Sequence, residues 1–407
     1  MATTFLESGT SATQGYEFFT SAGLSPTSEG TIVHTGPRSA KFTAYQTATK
    51  AGVYVDAGGR GSFYVYLAAI PGSTVTLWEI KNTANGRALA LNILATGALQ
   101  LAYGGGGTTT GSTILSTATW YRISIAWTIT SATVNEFRCW LSGALEITSS
   151  NQSTNTEGGT NNLIIGNNAA GASTSIYFSD IYMDNDTGLT LPGDIRVTSK
   201  LPGTVNNNTF DTAGGTGAVN ERPLSETNYQ QHADSAQVTH DYTLQTAATG
   251  DVDLTGTTLV ARSAWIWARA AATGGTPGIV DNGATTGITI AATSALYTLI
   301  TDSATYPSNA AGIGMRSMGT ADDTFLYECG TLIAYTPASD PVTVTPGTLA
   351  LALTLFAPTV STPVTVTPST LALALTTFAP TVTASGGAAD PTLIRYIYFT
   401  RRRRRSL

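Results

Sequence analysis

Residues 120–127, with the sequence WYRISIAW, alternate large apolar side chains with smaller or polar ones. The same alternation returns in residues 136–143, EFRCWLSG, which end in a turn. A period of two places successive side chains on opposite faces of a β-strand, so that one face can be buried while the other meets solvent. The two stretches therefore predict two strands, each with a buried face.

Further strand candidates surround these two, and turn clusters such as 58–61 (GGRG) and 71–73 (PGS) separate them. Short strands with regular turn signals are typical of a sandwich or a barrel. The composition agrees, because 42 glycines supply turns and only 11% of residues are charged, against roughly 25% in an average globular protein. We predict an all-β chain with two consecutive jelly-roll-like β-sandwich domains, followed by a short Pro/Thr-rich β-repeat region.

The chain of 407 residues is too long for one core, and four parts are predicted. Residues 1–190 form the first β-sandwich, and residues 191–337 form the second. Residues 338–384 hold two β repeats, which we interpret as an attachment or oligomerisation element. Residues 385–407 are an Arg-rich tail.

Four motifs follow one another in the first part: WYRISIAW, then FRCWLSG (137–143), LIIG (163–166) and YFSDIYMD (177–184). Their order resembles laminin-G-like or concanavalin-like jelly rolls over about residues 30–190, most closely the copies in tail, fibre and head-surface proteins of double-stranded DNA phages. The resemblance implies a structural component of a phage virion, as a decoration, head-fibre or tail-fibre protein that displays lectin-like domains. The alternative is a carbohydrate-binding adhesin for host surface glycans, because such folds bind sugars in some members.

This interpretation brings expected partners and a location. The partners are other virion proteins of the capsid or tail, further copies of the same chain, and host surface glycans. The protein is expected at the virion surface after synthesis in the host cytoplasm. No basic start followed by an apolar run marks a signal peptide, and no stretch approaches the roughly 18 apolar residues of a membrane span, so no membrane partner is expected.

An internal repeat lies near the C-terminus, where residues 341–362 and 363–384 align at a period of 22 with 18 identical positions. Its LALAL segment places the leucines on one strand face, which two repeats cannot bury alone. We expect this face to pack on another chain or on copies of itself, and a flexible low-complexity stalk is the alternative. The predicted attachment residues are Leu349, Leu351, Leu353, Leu371, Leu373 and Leu375.

The tail concentrates positive charge. Six of the 20 basic residues lie in residues 393–407, which leaves 14 basic against 26 acidic residues elsewhere. An acidic body argues against broad nucleic-acid binding by the folded domains. The tail itself is expected to grip an acidic capsid surface or packaged nucleic acid, or to act as a solubilising segment. Its charges are Arg401, Arg402, Arg403, Arg404 and Arg405.

Few residues invite a catalytic interpretation. His232 and His240 each have an aspartate close by in the sequence, at Asp234 and Asp241. In so polar a context surface or hydrogen-bonded histidines are the simpler interpretation, and no Ser or Cys lies in a recognisable nucleophile motif. We therefore predict that the chain is not an enzyme and needs no cofactor, with calcium as the one candidate.

The calcium candidates are Asp184 and Asp186, which lie at the end of a predicted strand with Gly188 after them. Calcium takes 6 to 8 oxygen ligands from a curved loop. A turn rich in Asx residues is the alternative. The six tryptophans are interpreted mainly as core, with a sugar-binding platform as the alternative.

Overall fold

A computed structural model describes residues 3–7, 21–22, 27–35, 39–43, 46–51, 58–82, 86–104, 106–130, 135–150, 160–166, 174–200, 202–207, 212–214, 229–232, 237–244, 254–270, 276–292, 295–301, 312–317 and 324–337. The chain divides into two units, Met1–Val342 and Thr343–Leu407, and all described residues belong to the first. Within them every regular element is a β-strand, so the predicted all-β class is confirmed.

Fifteen strands build the first sandwich. They are β1 (Thr3–Glu7), β2 (Ser21–Ala22), β3 (Thr27–Glu29), β4 (Ser39–Phe42), β5 (Thr47–Ala51), β6 (Gly58–Leu67), β7 (Val75–Asn82), β8 (Arg87–Ile93), β9 (Ala98–Tyr103), β10 (Thr108–Ile114), β11 (Trp120–Ile129), β12 (Asn135–Leu141), β13 (Ala144–Ser149), β14 (Thr160–Gly166) and β15 (Ile176–Asp184).

These strands form two antiparallel sheets. The first sheet has the order β13-β12-β11-β6-β15-β4-β3, with β1 also paired to β15. The second sheet has the order β10-β9-β8-β7-β14-β5-β2. Sequence neighbours such as β6 and β7 lie in different sheets, which gives the jelly-roll-like connectivity of a β-sandwich.

The core of this sandwich forms between the two sheets. Phe63 and Ile123 face inwards from the first sheet and meet Leu91 and Leu163 of the second in one buried cluster. Aromatic pairs link the two sheets at Trp78–Trp127, with ring centroids 5.6 Å apart, and at Tyr103–Phe137, stacked at 5.1 Å. Full burial of such rings contributes on the order of 2–3 kcal/mol each.

The second sandwich contains eleven strands. They are β16 (Arg196–Lys200), β17 (Pro202–Asn207), β18 (Thr212–Gly214), β19 (Tyr229–His232), β20 (Thr239–Leu244), β21 (Thr258–Ala270), β22 (Gly278–Asp281), β23 (Ala284–Gly287), β24 (Ala295–Thr301), β25 (Ile313–Arg316) and β26 (Thr324–Thr336).

They form a third sheet, ordered β18-β19-β26-β21-β24 with β16 on β26, and a fourth, ordered β17-β20-β25-β22-β23. Ile266 of β21 packs with Ile279 and Met315 between these two sheets. Trp265, the neighbour of Ile266, belongs instead to the core cluster of the first sandwich. The third sheet is therefore buried on both faces, and one apolar cluster continues from the first sandwich into the second.

The predicted division at residue 190 falls between β15 and β16 and stays a prediction. No helix within the described ranges is long and apolar enough to cross a membrane. Both cysteines are buried and free, Cys139 on β12 and Cys329 on β26.

Candidate functional site

Four side chains form a row across the outer face of the first sheet. In the strand register Trp120 of β11 lies opposite Tyr66 of β6, Tyr66 opposite Tyr177 of β15, and Tyr177 opposite Lys41 of β4. The ring centroids of Trp120 and Tyr66 are 5.5 Å apart, as are those of Tyr66 and Tyr177, and the Lys41 ammonium lies 5.7 Å above the Tyr177 ring. This aromatic row spans three strand spacings, about 14 Å.

The alternation of β6 explains why these rings face outwards. Phe63 and Val65 point into the core, so Tyr64 and Tyr66, which alternate with them along the strand, take the opposite face. The outer face of an antiparallel sheet usually carries small polar side chains. Trp120 and Tyr66 instead remain partly exposed there, whereas Tyr64 and Tyr177 are buried, at 7% and 4% exposure. Two large, partly exposed rings side by side on a sheet face are the kind of surface that marks a binding site.

A buried carboxylate and a histidine meet beside this row. Nδ1 of His34 lies 2.6 Å from Oδ2 of Asp180, and the same oxygen accepts hydrogen bonds from the hydroxyls of Thr35 (2.9 Å) and Ser179 (3.1 Å). The backbone N–H of Val197 donates to Oδ1 of Asp180 at 2.8 Å. The Asp180 side chain is 0% exposed and the His34 side chain 15%. Four donors thus hold the carboxylate, which in turn orients the imidazole.

The backbone at Asp180 places this carboxylate. Its φ is 54°, in the left-handed region that Asn and Asp tolerate better than other non-glycine residues. The register between β15 and β6 shifts between Ser179 and Tyr182. Before the shift β15 pairs with β4, and after it with β1. Such a bulge re-aims a side chain, and here it directs Asp180 to His34 and to Val197 of β16.

The imidazole lies on an aromatic support. The His34 ring stacks on Tyr64 at 3.7 Å with an interplanar angle of 23°, and its centroid is 5.4 Å from that of Trp120. The Tyr64 hydroxyl donates to Oδ1 of Asp194 at 2.5 Å. Burial, reinforced by this aspartate, raises the pKa of Tyr64 far above its usual value. Tyr64 therefore stays protonated and fixed under the histidine.

Two arginines complete the site from opposite sides of Asp194. Nη1 of Arg122 and Nη2 of Arg196 each lie 3.5 Å from its carboxylate. Desolvation, the largest single effect, opposes the charge of Arg196, but the attraction of Asp194, Tyr64 and Asp180 together outweighs it, so the pKa of Arg196 is raised. Arg122 lies on β11 directly opposite Tyr64, so the cluster joins the row through the sheet register. Asp194 therefore holds both guanidinium groups beside Tyr64.

This arrangement offers a ligand both apolar and polar contacts. The aromatic row supplies flat apolar surfaces, and the group His34, Tyr64, Asp180, Asp194, Arg122 and Arg196, which we call the His34 cluster, supplies charge and hydrogen bonding. With Nδ1 of His34 turned to Asp180, Nε2 lies on the other side of the ring. None of the described residues forms a hydrogen bond with Nε2.

The predicted calcium ligands bind an arginine. Nε and Nη2 of Arg60 donate to the Asp184 carboxylate at 3.1 and 2.8 Å, and Nη1 lies 3.1 Å from Oδ2 of Asp186. Nη1 also donates to the hydroxyl of Thr190 at 2.9 Å. In the described part of the chain no three His, Cys, Asp or Glu side chains gather as a metal site. These contacts give the aspartates a role in fastening the 184–190 loop, and the calcium site stays a prediction.

Other predicted residues lie elsewhere. His240 is buried on β20, with Nε2 2.9 Å from the hydroxyl of Tyr242, and takes no part in the His34 cluster. His232 ends β19, and its side chain lies outside the described part. The attachment leucines Leu349–Leu353 and Leu371–Leu375 and the charged tail Arg401–Arg405 also lie outside the described residues. Trp78 and Trp127 are core, as predicted, whereas Trp120 belongs to the outer row.

No known protein family and no curated protein matches the sequence. Among solved structures, the chain is similar to an endo-β-1,4-glucuronan lyase from Trichoderma reesei at 12% identity and a TM-score of 0.35, over 46% of this chain and 98% of that one. A Trypanosoma rangeli sialidase bound to the inhibitor DANA matches at 13% identity and a TM-score of 0.30, over 36% of this chain and 25% of the sialidase. The alginate lyase AlgAT5 of polysaccharide lyase family 7 matches at 11% identity and a TM-score of 0.28, over 36% of this chain and 78% of the lyase.

These matches contradict one prediction. Likeness at this level shows the fold alone, but the similar solved structures named above are enzymes, and this contradicts the prediction that the chain is not an enzyme. Its premise was the lack of a catalytic motif in the sequence. Folding can assemble ionisable groups from distant positions, as it does with His34 and Asp180, and a linear motif search does not find them. The fold itself is a jelly-roll-like β-sandwich, as predicted.

Proposed function

We propose that the chain binds a glycan along the aromatic row of the first sheet. The observation that carries this proposal is the alignment of Trp120, Tyr66 and Tyr177 on adjacent strands, with Lys41 at the end. A sugar ring has apolar C–H faces and a rim of hydroxyl groups. Aromatic rings stack on the former, and fixed polar groups bind the latter, as in most small-molecule sites.

The dimensions and position of the row support a polymer as the ligand. At about 14 Å the row is longer than one sugar ring, and Trp120, Tyr66 and Lys41 are its partly exposed members. The His34 cluster lies along it, since His34 contacts Trp120, and offers donors from Arg122 and an acceptor at Nε2 of His34. Asp194 and Arg196 come from the segment that leads into the second sandwich, and ligand sites often lie at such junctions.

The test is binding to immobilised polysaccharides and a glycan array. Trp120→Ala and Tyr66→Ala should each weaken binding at least tenfold, about 1.4 kcal/mol. Leu145→Ala is the matched control, because Leu145 is a large apolar side chain 54% exposed on β13 of the same sheet. Retained affinity in both aromatic variants, or an equal loss in the control, would refute binding along the row.

We propose, as a second function, that the chain is displayed on a phage particle. Support comes from the order of the motifs in residues 120–184 and from the two 22-residue repeats. In this proposal the repeats attach the chain to capsid or tail proteins or to further copies of itself, and the sandwiches carry the glycan site. The test is to truncate the chain at Ser339. A shortened protein that still joins particles at full occupancy would show that the repeats are not the anchor.

A further inference from the structure

We propose that His34 is a general base that hydrolyses ester groups on the bound glycan, an activity that rests on the glycan binding proposed above. Asp180 acts as its positioning residue. The chemistry requires one imidazole nitrogen with a free lone pair, a partner that fixes the tautomer, and a substrate held beside it.

The first two requirements follow from the contacts of Asp180. Its buried carboxylate lies 2.6 Å from Nδ1 of His34 and accepts the hydrogen bonds of three further donors. A carboxylate acceptor at Nδ1 fixes the proton of the imidazole there and leaves the lone pair on Nε2. Because the described residues give Nε2 no partner, the lone pair is available to water or to substrate.

The third requirement, a substrate held beside the base, follows from the rings around His34. Stacking on Tyr64 at 3.7 Å fixes the plane of the imidazole, and the contact with Trp120 places it at one end of the aromatic row. A sugar stacked on Trp120 would carry its ring substituents towards His34. Binding on the row would thereby place an ester group within reach of the base.

The choice of an ester follows from the carboxylates. Hydrolysis of a glycosidic bond uses two carboxyl groups, one on each side of that bond. In this cluster Asp180 is fully buried under four donors, and Asp194 is engaged by Tyr64. Ester hydrolysis needs only one base and water, and an oriented imidazole can provide that base.

In the reaction, the oxygen of a water molecule attacks the acyl carbon while Nε2 of His34 takes one of its protons. The carbonyl electron pair moves to the carbonyl oxygen and forms a tetrahedral intermediate. Asp180 accepts the hydrogen bond from Nδ1 and stabilises the imidazolium across the 2.6 Å contact. When the electron pair returns, the bond from the acyl carbon to the sugar oxygen breaks, and that oxygen takes the proton from Nε2. The products are a carboxylic acid and a free sugar hydroxyl.

The experiment measures acetate release by the full chain from a polysaccharide that it binds, chemically O-acetylated to a low degree. Hydrolysis of 4-nitrophenyl acetate gives a second readout that needs no glycan. His34→Ala should lower the rate of acetate release and the rate of 4-nitrophenyl acetate hydrolysis at least about 100-fold each. Added imidazole should restore part of the rate of 4-nitrophenyl acetate hydrolysis. Asp180→Asn should lower the turnover rate at least about tenfold while glycan affinity stays unchanged, because Asn changes the tautomer without removing a contact to the sugar. Thr148→Ala, at an exposed position of β13, is the control.

The outcomes separate this activity from glycan binding. Rates equal to wild type in His34→Ala, or no acetate release from a polysaccharide that is bound, overturn the activity and leave binding intact. If no polysaccharide binds, the proposed function fails, and 4-nitrophenyl acetate still decides whether His34 acts as a base. Should Asp180→Asn not fold, His34→Asn with imidazole rescue decides the question alone.

Discussion

His34 and Asp180 lie 146 residues apart in the sequence, yet Nδ1 of the histidine is 2.6 Å from Oδ2 of the aspartate. The contact connects the segment before β4 with the bulge in β15. Through the Val197 N–H, the same carboxylate also binds β16 at the entry to the second sandwich. One buried group therefore links the candidate site to the junction of the two sandwiches.

Replacement of Asp180 by alanine should destabilise the protein by about 3 kcal/mol. Alanine leaves the Val197 N–H and two hydroxyl donors without their acceptor and strains the backbone at a φ of 54°. Asp180→Asn should cost distinctly less, because asparagine tolerates this conformation and keeps one acceptor oxygen. Urea unfolding measures the stability of both variants. Equal losses of stability in the two would show that neither the backbone strain nor the lost acceptor destabilises Asp180→Ala.

The sequence predicts the sheets better than it predicts the site. Alternation in β11 and β12 predicts strands, and the structure has them. The predicted single buried face holds for residues 135–139 of β12, whereas β11 is buried on both faces over residues 123–127. In β6, however, Phe63 and Val65 alternate with Tyr64 and Tyr66, so both faces look apolar. Periodicity alone cannot say which set is core, since the choice depends on the opposite sheet.

The His34 cluster was missed for a different reason. Asp180 lies within YFSDIYMD, which reads as an ordinary closing strand, and nothing local marks its positive φ. The bulge arises because β15 changes partner from β4 to β1, a tertiary event. The one sequence signal for the site was the spacing of Trp120 and Arg122, which places both side chains on the outer face of β11.

Replacement of Arg60 by methionine should destabilise the protein by about 3–5 kcal/mol. The Asp184 side chain is 0% exposed, and its charge would remain buried without its main counterion. Lys41→Met is the control for stability, because the pair with Glu29 is long, at 3.8 Å, and both side chains are partly exposed. Such a pair contributes about 0–1 kcal/mol. Similar losses in the two variants would contradict this difference.

The Arg60 contacts also make the calcium prediction testable. A cation at Asp184 and Asp186 would compete with the guanidinium that these aspartates now bind. Calcium that binds only the folded state raises the melting temperature, and the rise grows with the logarithm of the calcium concentration once this exceeds Kd. Melting curves in millimolar calcium and in EDTA should coincide if Arg60 is the sole partner, and a higher melting temperature in calcium would support the metal site.

Neither cysteine should react with a thiol reagent in the native protein. Cys139 and Cys329 are both 0% exposed, and burial raises the pKa of the Cys139 thiol far above its usual range, so the reactive thiolate is scarce. Ellman's reagent should detect no thiol in buffer and both thiols after denaturation with guanidinium. Rapid labelling of one thiol under native conditions would mean that its strand opens locally.

Stability should fall as the pH drops from about 6.5 to about 4, and His240 should account for part of the fall. Burial lowers the pKa of His240 from 6.5 to about 4 in the folded protein. In this range the unfolded chain binds a proton that the folded chain does not, so acidification favours unfolding. The full contribution is present above pH 6.5 and amounts to about 3 kcal/mol. Urea unfolding at several pH values gives the free energy of unfolding as a function of pH for the wild type and for His240→Gln. The difference between the two curves isolates the contribution of His240, because the other titrating groups contribute equally to both. Parallel pH profiles for the two proteins would mean that the pKa of His240 is the same in the folded and the unfolded protein.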